Sequence, residues 1–240
     1  MNSFRLNRTH SKAFFLLLLV LLPALTALAC RSYFHRQTAA DKSWFYQQSL
    51  EIMYHRQALN LPVGSVVFFG DSQIQGLAVT AISPKAVNFG IGHQQLQRLA
   101  FRIADYPNLE RAERIFIGIG INDLLHAPSD DLERAISQLI SGLRCCHSKV
   151  TLLSILPVNE VKLARPGLNK QIVKLNEQLK AAANQAGLNF IDYQTSFSDL
   201  NGHLNIRYDL GDGLHLSQAG YDHLIEKIKT GLLGAPKNAS

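Results

Sequence analysis

Five short apolar runs, Ser65 to Phe69, Ala86 to Phe89, Arg114 to Ile119, Val150 to Ile155 and Asn189 to Ile191, alternate with longer stretches of different periodicity. The runs read as buried strands. In the longer stretches, His93 to Ile103, Asp130 to Leu143, Gly167 to Ala186 and Ser217 to Leu233, apolar residues recur at three and four, which predicts helices. Strand, helix, strand alternation requires parallel strands joined by right-handed crossovers. The expected fold is therefore α/β, a three-layer α/β/α sandwich around a five-stranded parallel sheet. In open sheets of this kind the ligand crevice lies outside the carboxyl ends of the strands, so residues with chemistry should follow strands directly.

They do. Gly70, Asp71, Ser72 follow the first strand; Asn88, Phe89, Gly90, Ile91, Gly92, His93 mark the end of the second and the turn after it; Gly120, Ile121, Asn122, Asp123 follow the third. A fourth block, Asp212 to His215, precedes the last helix. A serine hydroxyl is a weak nucleophile at neutral pH unless a base takes its proton during attack, a task that fits His215 acting on Ser72. Asp212 is spaced to accept the Nδ1 proton of His215, fix the tautomer and stabilise the imidazolium. Asp209 is a rival carboxylate at a less suitable spacing. Asp71 and Asp123 are read as structural, bonding to loop backbone. His35, His55, His126, His147, His203 and His223 are read as surface or loop residues.

The four blocks, a GDS serine, a glycine turn, a GxND asparagine and a DxxH pair, resemble the SGNH (GDSL) hydrolase family in kind and order. The resemblance covers about residues 64–233. It implies a flavodoxin-like hydrolase fold, a serine esterase or acylhydrolase activity with Ser72, His215 and Asp212 catalytic, and an oxyanion hole. The hole would comprise the Ser72 N–H, a backbone N–H in the turn after the second strand, and the Asn122 side-chain amide. In that turn an ungapped comparison sets the family's donor glycine on His93, with Gly92 just before it. Either Gly92 or His93 then supplies the N–H, and His93 can do so only if the turn does not require positive φ. Leu156 and Pro157 are expected to line an acyl pocket. Asn159 to Gly167 is read as a solvated loop, with the alternative that Lys162 and Arg165 form a mobile rim for an anionic group.

Residues 1–30 look like a signal, lipoprotein or membrane-anchor segment: basic at Arg5, Arg8 and Lys12, apolar from Ala13 to Ala29, and closed by Ala27, Leu28, Ala29 before Cys30. Residues 31–63 are an N-terminal helical segment, helical from Asp41 to Leu59 with Trp44, Phe45, Ile52 and Leu59 on one apolar side. Residues 64–234 form the hydrolase-like domain and 235–240 a tail. Half of the net charge of +6 lies in the first segment, so a nucleic-acid partner is not indicated. Cys145 and Cys146 are adjacent, which strains any bridge between them, and they are expected as half-buried thiols. No third glycine completes a dinucleotide fingerprint at GIGHQQ or GIGIND, and GxxxxGK, HExxH and paired CxxC are absent, so no cofactor or metal is implied. The chain is expected to be an exported serine hydrolase of the bacterial periplasm or cell envelope, secreted or membrane-tethered through its N-terminus. Its substrate would be a lipid ester, a small ester or an acetylated glycan. An O-acyltransferase using the same triad and a non-catalytic envelope-binding domain are the alternatives.

Overall fold

A computed structural model of the chain describes residues 8–126 and 131–234. The chain divides into two units, residues 1–49 and 50–240. The first is helical from Arg8, within helix α1 (Arg8–Ala58), which carries Pro23 in its interior. Over the described residues no helix is long and apolar enough to cross a membrane, although the apolar run Ala13 to Ala29 falls only partly among the side chains described.

In the second unit the strands are β1 (Ser65–Gly70), β2 (Ala86–Gly90), β3 (Ala112–Gly118), β4 (Val150–Leu153) and β5 (Asn189–Ile191). They pair in the order β2-β1-β3-β4-β5, every pair parallel. This is the five-stranded parallel sheet that the alternation of runs predicts. The helices are α2 (Ser72–Gln75), α3 (Leu96–Ala104), α4 (Ile121–Leu125), α5 (Leu132–Gly142), α6 (Glu160–Leu163), α7 (Leu168–Ala186), α8 (Gln194–Phe197) and α9 (Gln218–Gly234).

Successive strand residues point to opposite faces, and here both faces are covered. Val67, Phe69, Ile115, Ile117, Val150 and Leu152 pack with Leu99 and Ile103 of α3, Leu139 of α5, and Ile172 and Leu179 of α7. The alternate residues Val66, Phe68, Phe116 and Leu153 pack with Ile74, Phe197, Leu224 and Ile228 from α2, α8 and α9. Phe68 and Phe116, register partners on β1 and β3, stack with ring centroids 4.7 Å apart. Cys146 lies inside the first core layer, more deeply buried than expected; the side chain of Cys145 is outside the described set.

The end of α1 meets this core differently from the expectation. Trp44, Phe45, Ile52 and Leu59 are exposed, whereas Ala58 is buried and Tyr54 packs against the core, its ring 5.4 Å from that of Phe89. Polar contacts decide the helix phase. Glu51 forms a two-pronged pair with Arg98, and the Asn108 side-chain amide donates to the Ala58 and Leu59 carbonyls that end the helix.

Polar side chains also set where strands stop. The buried Asn176 of α7 accepts from the Ile155 N–H at 2.7 Å and donates to the Ile155 carbonyl at 3.0 Å, so β4 ends at Leu153 rather than at Ile155. Asn169 does the same for Val158. Helix α3 begins at Leu96 rather than His93, because Gln94 N–H closes a turn on Ile91 and the Asp123 carboxylate takes the Leu96 N–H.

Asp71 and Asp123 are both buried at this edge of the sheet. Burial raises the Asp71 pKa to about 7, against the hydrogen bond from Gln73 N–H and helped by the charge of Asp123. Burial likewise raises Asp123 to about 6.

Two outcomes follow from this packing. Phe116→Ala should cost about 3–5 kcal/mol in urea unfolding by opening a void beneath Phe68, whereas Ile52→Ala, at an exposed site, should change stability by less than about 0.5 kcal/mol. A raised folded-state pKa favours the protonated carboxyl, so the stability that Asp71 contributes is complete below its ordinary value of 3.8 and is lost as pH rises through about 7. Asp71→Asn keeps an N-cap acceptor and removes this loss. The variant should gain on the wild type between pH 5 and pH 8, by on the order of a few kcal/mol; equal pH profiles would refute the assignment.

Candidate active site

Register brings the motif blocks together. Gly70 lies beside Gly90 on one side and Gly118 on the other, so β1, β2 and β3 end at one level and the segments leaving them share one edge. Asp71 is the N-cap of α2, its carboxylate accepting from Gln73 N–H at 3.0 Å, and Ser72 is the first helical residue. At that position the serine N–H has no intrahelical acceptor.

The Ser72 hydroxyl lies 3.1 Å from His215 Nε2, and His215 Nδ1 lies 2.6 Å from Asp212 Oδ2. The second oxygen of Asp212 accepts from the N–H groups of Leu214 and His215, at 2.9 and 2.8 Å. Burial alone would raise this carboxyl, but the hydrogen bonds from the His215 ring and backbone prevail and hold its pKa at about 2. Asp212 therefore stays ionised beside the imidazole at any pH at which the imidazole is neutral. The three side chains come from opposite ends of the second unit and form one continuous hydrogen-bonded row.

Asp209, the rival carboxylate, has another task. It accepts from Gly211 N–H at 2.8 Å and Gly213 N–H at 2.9 Å, and pairs with Lys162 Nζ at 2.6 Å. Burial acts to raise it, yet the Lys162 ammonium and the two N–H donors hold its pKa below the usual carboxylate range. The loop is closed further by Leu210 N–H on the His215 carbonyl and by the Gly213 carbonyl accepting from Asn159 N–H. Gly213 has φ +83°, and a Cβ there would sit 2.8 Å from the Lys162 Cβ, so only glycine fits between Asp212 and His215.

These contacts correct the reading of residues 159–167 as an unattached loop or a mobile rim, remove Lys162 as an anion ligand and take up one donor of Arg165. Lys162 is committed to Asp209, the Arg165 guanidinium donates to the Leu125 carbonyl at 3.3 Å, and the Glu160 carboxylate takes the N–H groups of Gly167 and Asn169. The segment is a stapled support for the loop that carries Asp212 and His215. Leu156 and Pro157 line a cavity of about 30 Å³ with Asp71, Gln73, Tyr193 and Leu214. As the structure stands, that is room for a water molecule or two.

In the turn after β2, the Gly92 N–H is taken by the Gln75 side-chain oxygen at 2.9 Å. A Cβ on Gly92 would lie 3.9 Å from the Ser72 Cβ, which puts this turn directly against the serine. His93 adopts φ +61°, so the turn does require the left-handed conformation that glycine would take freely, and the condition set for a non-glycine donor is corrected: a histidine occupies the position despite the positive φ. Histidine tolerates that region better than most residues, at a cost of about 1 kcal/mol. Asn122, buried on α4, donates one amide hydrogen to the Gln94 carbonyl at 3.1 Å, tying the third block to the second. Its amide carries a second donor.

Two contributors escape sequence reasoning, Gln75 and Gln73. Gln75 has no local signature. Asn88, placed in the second block by the sequence without a role, has one here: its amide donates to the Ile74 and Leu77 carbonyls and its oxygen accepts from Gly90 N–H, fastening α2 to β2. Gln73 donates to the Leu214 carbonyl, joining the serine helix to the histidine loop. Among the described residues no group of three His, Cys, Asp or Glu side chains could hold a metal ion.

Residues 68–223, more than half of the chain, match the GDSL-like Lipase/Acylhydrolase family. Similar solved structures include a Streptococcus pneumonia protein provisionally named as a platelet activating factor, at 26% identity and TM-score 0.72 over 82% of this chain and 97% of that one. A GDSL-like lipase of Bacteroides thetaiotaomicron shares the fold at 20% identity and TM-score 0.64, over 76% of this chain and 97% of the other. So does a variant acetyl xylan esterase of Geobacillus stearothermophilus, at 20% identity and TM-score 0.58, over 74% and 99%. No curated protein matches the chain. With the serine, asparagine and histidine blocks all inside the matched region, the chain belongs to the GDSL-like lipase/acylhydrolase family and is a serine esterase or acylhydrolase acting on ester bonds.

Proposed function

We propose that this enzyme is an exported hydrolase that forms an acyl-enzyme on Ser72 and releases the acid to water. The observation that carries the reading is the unbroken row Ser72, His215, Asp212 at 3.1 and 2.6 Å. His215 Nε2 removes the hydroxyl proton as Ser72 Oγ attacks the ester carbonyl carbon. The imidazolium then returns that proton to the departing alcohol. A water molecule repeats the sequence on the acyl-enzyme, giving up its proton to His215 as Ser72 leaves. Asp212 holds the ring in the tautomer that this requires and balances its transient charge.

The oxyanion formed at each attack is assigned to three donors: the Ser72 N–H, the His93 N–H and the second amide hydrogen of Asn122. Between the two candidates in the turn, His93 is favoured because the Gly92 N–H is already committed to Gln75. Among substrate classes, lipid esters, small esters and O-acetyl groups on envelope glycans all remain compatible with this chemistry. The acetyl xylan esterase among the similar structures lends support to the last. Export is supported by Arg5, Arg8 and Lys12 before the apolar run, and membrane tethering by Cys30 at its end. An enzyme recovered only from the cytosolic fraction of its cells would remove that part of the reading.

Ser72→Ala and His215→Ala should each abolish hydrolysis of a short p-nitrophenyl ester while the circular dichroism spectrum is retained. Comparable turnover in either variant would contradict the assignment. Asn122→Ala should lower kcat by a factor on the order of a hundred with little change in KM, since its donor acts on charge that exists only at the transition state. An effect confined to KM would assign Asn122 to substrate binding instead.

A further inference from the structure

The left-handed backbone at His93 costs energy that glycine would not. Backbone strain of this kind concentrates at functional sites. What histidine adds is an exposed imidazole on the residue after Gly92, in the turn whose Gly92 backbone lies against the serine. That ring faces a second one, His126, at a centroid separation of 5.9 Å. His126 caps the end of α4, its N–H donating to the Asn122 carbonyl at 3.1 Å, so it stands one helical turn from the proposed oxyanion donor.

Arg165 completes the group by donating to the carbonyl of the neighbouring Leu125. Its charge reaches His126: after the larger effect of burial, His93 and Arg165 both push the His126 pKa below the usual imidazole value. Among the described residues no carboxylate pairs with them: Asp123, on the same helix, is buried and turned to the Leu96 N–H. Other basic side chains nearby in sequence are spent, Lys162 on Asp209 and Arg98 on Glu51. Among the described residues Arg165 has no carboxylate partner. Among the described residues, three basic groups from three separate segments thus gather next to the oxyanion turn without a carboxylate partner.

We propose that His93, His126 and Arg165 form a subsite for an anionic group, a carboxylate or a phosphate, carried by the ester substrate close to its scissile bond. The proposal rests on the esterase reading above and names the substrate class of that same site. An oxyanion there receives N–H donors from both imidazoles and from the guanidinium, and charge-assisted bonds of this type are stronger than neutral ones. The neutral imidazole still donates one proton, so the subsite works even where the histidines are uncharged.

Matched ester pairs test it. One pair carries the anion on the alcohol side as a carboxylate, 4-acetoxybenzoate against its methyl ester. A second carries phosphate, 4-acetoxyphenyl phosphate against 4-acetoxyanisole. A third carries the anion on the acyl side, mono-4-nitrophenyl adipate against its methyl ester. In at least one pair the wild type should favour the anion by about tenfold or more in kcat/KM, the scale of one charge-assisted bond, and the preference should shrink as salt is added. Arg165→Gln, His126→Gln and His93→Asn, the last retaining a residue that accepts the left-handed backbone, should each bring the ratio towards one. The ratio is read within each variant, so a general loss of activity does not imitate the effect. Equal turnover within every pair, or a preference that survives all three substitutions, overturns the subsite and leaves the esterase intact. A wild type that cleaves none of the esters overturns both.

Discussion

Because β1, β2 and β3 run parallel with Gly70, Gly90 and Gly118 side by side, the three segments that leave them start from one line along the sheet. A slip of one residue would turn Phe68 and Phe116 into the wrong layer, where Phe69 and Ile117 now pack, and neither core could close. Burial on both faces therefore holds the register, and the register holds the serine, the oxyanion turn and the asparagine within reach of one another. The histidine loop is brought to the same edge from the far end of the chain by α9, whose Leu224 and Ile228 pack into the second layer.

That edge is built from polar side chains as much as from strands. Asn88, Asn169, Asn176, Gln75, Asp123 and Asp209 each satisfy backbone groups that the ends of strands and helices leave unpaired. The carboxylates around the serine also divide by environment. Asp71 and Asp123, buried without a cation, are pushed towards neutrality, while Asp212 and Asp209, each given a basic partner and two N–H donors, are held ionised. Of the acids near the site, Asp212 is the one that can serve an imidazole as a permanent anion.

The sheet, its parallel sense and the Ser, Asn, Asp and His blocks were all legible, because burial on two faces writes strands as short apolar runs and chemistry falls immediately after them. The phase of α1 was not. Its large side chains Trp44, Phe45, Ile52 and Leu59 suggest an apolar face, but Glu51 and Ala58 choose another through partners remote in sequence. Lys162 shows the same limit: a basic residue in a loop gives no sign that its counter-ion lies at Asp209. The conformation of His93 was posed as a condition by the sequence and could be answered only by the backbone angle.

The lysine between α6 and the histidine loop has a mechanical consequence. Its partner carboxylate is almost wholly enclosed and also holds two of the loop's own amides, so withdrawing the ammonium would leave an uncompensated charge in the interior. Helix α6 and the loop are thus obliged to come away together. The nucleophile, mounted just past the end of β1 inside the sheet, would stay behind, and a chain opened at this hinge would keep most of its folded body while having lost its proton acceptor.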